Sequence, residues 1–67
     1  MKLPYYIKYK ILGSVSANTT GCRTIEGVKH IINEIKNYTL ISFETNAPDV
    51  DISELQIIGS VTLLNSL

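Results

Sequence analysis

The sequence predicts an α+β fold of two layers, one amphipathic helix packed on a three-stranded β-sheet in the order β-α-β-β. Three observations carry this prediction. Apolar residues alternate from Tyr5 to Val15, recur at three-and-four spacing from Ile25 to Ile35, and alternate again in the segments after Asn37. Period two belongs to a strand and a period near 3.6 to a helix, so the chain changes element type twice.

The first strand spans Tyr5 to Leu12. Tyr5, Ile7, Tyr9 and Ile11 fall on one face, and Lys8 and Lys10 on the other. Pro4 precedes it without removing a ladder bond, and Gly13 marks a bulge or the strand end. Ser14 to Thr24 is polar and small, and reads as a loop ending in helix-capping chemistry at Thr20 or Thr24. The helix follows, with Ile25, Val28, Ile31, Ile32 and Ile35 on one stripe and Glu26, Lys29, His30, Asn33 and Glu34 opposite. Isoleucine is a modest helix former, so packing on a sheet must hold this element.

Tyr38 to Thr45 reads as a central strand, with Ile41 and Phe43 on one side and Tyr38 and Leu40 on the other. Asn46 to Asp49 is a turn signal. In the last segment Leu55, Ile57, Val61 and Leu63 alternate with polar residues, which favours a strand with Gly59 as a bulge. A short helix over Ile52 to Ile57 competes with it, because Asp51 and Glu54 have the spacing of a capping box. The expected path is a strand, a crossover helix and a parallel strand, with the last strand returning antiparallel.

Residues 1–67 are read as a single domain. So short a chain buries only about 60% of its unfolded surface and needs support from a staple, an apolar core or a partner. One cysteine excludes an internal disulfide, and no Cys/His cluster suggests a structural zinc. The aliphatic content instead points to a dense core with apolar surface to spare: ten isoleucines, seven leucines and four valines, with only 18% charged residues. A formal net charge of zero lacks the basic excess expected of a nucleic-acid-binding domain. Lys8 and Lys10 interrupt what would otherwise imitate a signal peptide, and no apolar run reaches the length of a membrane span. A reduced, cytoplasmic protein without membrane attachment is expected.

One helix covers one face of a three-stranded sheet. The other face would then carry Tyr6, Leu12, Ile58 and Leu64 beside Lys8, Lys10, Ser60 and Thr62. The central strand would add either Leu40 with Tyr38 or Ile41 with Phe43. Tyr6, Leu12, Leu40, Ile58 and Leu64 therefore form the candidate partner surface, because an apolar patch of several hundred Å² more often marks a contact than a bare face. The stretch from Leu55 to Leu64 contains neither charge nor proline, a hazard that pairing in an oligomer would remove.

Catalytic and ligand constellations are weaker. Cys22 and His30 are eight positions apart, about 12 Å along a helix, too far for a nucleophile and its base. Asp49, Asp51 and Ser53 resemble the opening of a calcium loop, but Glu54 stands where that loop needs glycine. No catalytic residue, metal ligand or cofactor is assigned. The expected function is a non-enzymatic interaction module that self-associates or docks a protein partner through an apolar sheet face. The alternative is a binder of a small anionic ligand or single-stranded nucleic acid. It would use Arg23 and the Ser14–Thr24 loop, or the strand face of Tyr6, Lys8 and Lys10.

Overall fold

The N-terminal alternation does produce a strand, but the sheet around it is larger than the alternation alone implies. The computed structural model describes residues 3–64. It contains β1 (Tyr5–Ile11), β2 (Asn18–Cys22), α1 (Ile25–Ile35), β3 (Thr39–Thr45) and β4 (Gln56–Leu63), with the sheet ordered β2-β1-β3-β4. The mixed class, the single helix and its position hold. The strand number and order differ, because Asn18–Cys22 is a strand and not part of a capped loop.

β2 escapes a hydrophobic reading because it is an edge strand with one buried side chain, Cys22. Thr19 and Thr20 are β-branched and suit an extended chain. Backbone pairing of Tyr5 with Cys22 through Tyr9 with Asn18 holds it antiparallel to β1. Gly13 makes the preceding turn at φ 90°, and Ser14 N–H donates to Ile11 C=O at 2.9 Å.

This hairpin reverses the chain before the helix begins. β3 consequently pairs antiparallel to β1, not parallel as a direct β-α-β unit would require. The segment after β3 then makes the crossover, so β4 runs parallel to β3 where an antiparallel return was expected. The crossover turns at Asp51 to Leu55, where Asp51 Oδ1 accepts from Ser53 N–H at 2.9 Å and Leu55 N–H donates to Ile52 C=O at 3.0 Å. Residues 52–55 are therefore a turn, and the strand reading of the last segment holds from Gln56 onward.

α1 starts at an N-cap, Thr24, whose Oγ1 accepts from Gly27 N–H at 3.2 Å. Its stripe buries Val28, Ile32 and Ile35 against Ile7, Leu40 and Phe43, with Ile25 and Ile31 at the margin. The helix lies over β1 and β2. Ala47, Val50, Ile52 and Leu55 of the crossover add to the same core, completing the layer that the helix begins. No helix among the described residues is long and apolar enough to cross a membrane.

Two irregularities shape the sheet. The register shifts beside Ile41 against both neighbours: between Lys10 and Ile11 on β1, and between Ile57 and Ser60 on β4. Gly59 sits at this point, where an added Cβ would fall 1.9 Å from Ile41 O. The predicted bulge at Gly59 thus has a partner in β3. The extra residue in β3 also puts Leu40 and Phe43, which strict alternation places on opposite sides, into one core at 0% and 1% exposure.

Candidate interaction surface

The face of the sheet away from α1 differs from the apolar surface expected. Leu40 is fully buried under the helix layer and leaves the candidate surface, the consequence of the bulge at Ile41. The remaining candidates do not meet. Leu12 lies at one end of the sheet, its N–H donating to Thr39 C=O at 2.9 Å, and Ile58 follows the β4 residues that pair at that end. Leu64 lies at the other end, with its N–H donating to Thr45 C=O at 3.0 Å, near where Tyr6 meets Asn46. Between them run two polar rows, Lys10–Ser42–Ser60 and Lys8–Glu44–Thr62. A hydrated band therefore crosses the middle of this face.

The chemistry of that band also bears on the nucleic-acid alternative. Tyr6 Oη donates to Glu44 Oε2 at 2.6 Å, and Lys8 stands opposite Glu44 in the strand register. The hydrogen bond to Glu44, aided by partial desolvation and the carboxylate charge, raises the Tyr6 hydroxyl above its ordinary 10.0. A carboxylate among the two lysines weakens the attraction for phosphates that the face would need. Arg23 follows Cys22, which pairs with Tyr5, so it sits beyond the opposite end of β1 from Lys10, about 17 Å along the strand. These cations do not converge on one site. The second half of the Ser14–Thr24 segment proposed for anions contains β2, and Thr24 already occupies one helix N-terminal amide.

Cys22 is buried, and desolvation raises its thiol above 9.0, which disfavours the nucleophilic thiolate. His30 is exposed on α1 and faces Glu34 at 3.0 Å, so it is committed to its own helix. Among the described residues no group of three or more His, Cys, Asp or Glu side chains gathers as a metal site. A cleft of about 290 Å³ lies between Lys29, Asn33 and Lys36 of α1 and Asp49, Asp51 and Glu54 of the crossover. Lys36 Nζ is paired with Glu54 at 3.1 Å, and the lining is net acidic, which opposes a small anion there.

The most open apolar surface lies instead along β4. This strand forms one border of the sheet, and six of its eight residues are exposed. Ile58, Val61 and Leu64 are 65%, 43% and 57% exposed. Val61 was not among the sequence candidates, since its parity places it with the inward set. It pairs with Phe43 on the core side, yet nothing among the described residues lies beyond β4 to cover it. No protein-family model, curated protein or solved structure matches the chain.

Proposed function

We propose that this chain is a non-enzymatic interaction module that joins a protein partner, its own copy included, by strand addition at β4. The carrying observation is the character of that edge. Natural sheets protect long edges with charges, prolines or short strands, because an unpaired row of N–H and C=O groups is a template for pairing. The opposite border shows such protection: β2 is five residues long and exposes no large apolar side chain. β4 is eight residues long, and from Leu55 to Leu64 there is no charge and no proline. The bulge at Gly59 distorts its first half, but Ser60 to Leu63 runs in regular register with β3. Strand addition would satisfy this backbone row and cover its apolar side chains. The cytoplasmic setting belongs to the same proposal and rests on the lone thiol.

A photo-crosslinking residue at position 58, in the cells that make the protein, tests this reading. The expected result is a discrete adduct with a protein, absent when the same probe replaces the exposed His30 on α1. Equal labelling from both positions, or none from position 58, contradicts it.

A further inference from the structure

We infer that the occupant of the β4 edge is β4 of a second copy, paired antiparallel about a two-fold axis at Val61, so that two four-stranded sheets become one of eight strands. This rests on the reading of β4 as the docking edge and adds partner, orientation and register.

The backbone restricts the register first. Leu64 N–H points to β3, where it meets Thr45 C=O. Peptide directions alternate along a strand, so Ser60 and Thr62 also address β3 while Gly59, Val61 and Leu63 turn their polar groups outward. A two-fold antiparallel pair must set an outward residue against an outward residue. The axis can therefore pass any residue from Gly59 to Leu63, at a hydrogen-bonded or a non-hydrogen-bonded pair, and positions between neighbours are excluded.

The side chains then choose among the five. With the axis at Gly59, Ile58 faces Ser60 of the other copy. With the axis at Ser60, Ile58 faces Thr62; at Thr62, Ser60 faces Leu64; at Leu63, Thr62 faces Leu64. With the axis at Val61, the exposed row sets Ile58 against Leu64 and Ser60 against Thr62, while on the other row Val61 faces itself and Gly59 makes room for Leu63. Only this register matches apolar with apolar and hydroxyl with hydroxyl along the exposed row, the pairings that stabilise antiparallel strands. The most exposed apolar residues of the segment, Ile58 and Leu64, lie three positions either side of Val61. The edge is thus complementary to its own reversed copy. Because residues 55–64 lack charge, self-pairing opposes no like charges, and a charged partner strand would find no counter-charge along it.

Light scattering on the purified full chain, over a dilution series, should give a mass of twice 7.4 kDa that falls toward the single value on dilution. Val61→Lys and Val61→Glu each place like charges opposite one another at the axis. Each alone should raise the dissociation constant by at least about tenfold, and mixing them should restore a one-to-one dimer. Since Val61 stands opposite the buried Phe43 in the register, a second pair of variants uses the two more exposed positions. Ile58→Lys with Leu64→Lys should dissociate the dimer, and Ile58→Lys with Leu64→Glu should keep it. A wild-type chain that stays at 7.4 kDa at the highest attainable concentration overturns the two-fold pair. So does a dimer indifferent to these changes. If the purified chain is monomeric while position 58 still crosslinks to a different protein, the self-pair fails and docking at β4 stands. If both signals are missing, both readings fail.

Discussion

Among the described residues Thr45 is the one fully buried polar side chain, and its hydroxyl explains its place. Oγ1 donates to Tyr6 C=O at 2.6 Å and accepts from Ala47 N–H at 3.2 Å, joining β1 to the start of the crossover. Asn46 beside it accepts from Tyr6 N–H at 2.9 Å and donates to Pro4 C=O at 3.0 Å. Thr45→Val keeps the shape and leaves the Ala47 amide buried without that acceptor, so it should cost about 1–3 kcal/mol in denaturant unfolding. Tyr6 provides a pH-dependent counterpart. Its folded pKa is raised, chiefly by the hydrogen bond to Glu44, so the folded state holds this proton more tightly than the unfolded chain. The resulting stabilisation is fully present below pH 10 and is lost as pH rises through the raised folded value. Tyr6→Phe removes that term. Its unfolding midpoint should fall less than that of the parent between pH 8 and pH 11, and an equal fall in both would contradict the assignment.

At the scale of elements, the tight approach of Gly59 to Ile41 couples β3 to β4. Gly59→Ala would force a Cβ against the Ile41 carbonyl, a backbone atom with no rotamer to yield. The variant should lose about 1–3 kcal/mol or shift the β3–β4 register, read by denaturant unfolding and by amide chemical shifts of β4. This contact also shows where sequence reading stops. The helix stripe and the alternation of Tyr5 to Ile11 were legible because each buries a whole face. The glycine at 59 was legible as a bulge because strands disfavour it. β2 was not, since an edge strand of Asn18, Thr19, Thr20, Gly21 and Cys22 leaves only one apolar position to read. Without that hairpin β3 reads as parallel to β1, and the parallel pairing of β4 is hidden separately, because residues 46–55 carry turn residues and no sustained helical pattern to announce a crossover. Leu40 was misplaced for a related reason: one extra residue at Ile41 changes which side chains share a face.

For the whole molecule, the division of labour follows from coverage. α1 and the crossover from Ala47 to Leu55 close one face of the sheet, and the polar rows through Ser42 and Glu44 let the other face water. What remains is the border. β2 ends the sheet with a short polar strand, whereas β4 ends it with a long uncharged one. The surplus of aliphatic residues noted in the composition is thus visible in Ile58, Val61 and Leu64, outside the folded core. A domain this small gains from hiding them, at about 1.5–3 kcal/mol for each large side chain fully removed from water. Of the predicted surface, Ile58 and Leu64 remain at this border, Tyr6 and Leu12 lie apart from it, and Val61 joins it.

Backbone hydrogen exchange at β4 distinguishes a paired edge from a bare one. The amides of Val61 and Leu63 point away from β3, whereas that of Leu64 is bonded to Thr45. The two-fold pair predicts that Val61 and Leu63 exchange slowly in concentrated protein and faster on dilution, while Leu64 changes little. Rapid exchange of Val61 and Leu63 at every concentration would contradict it.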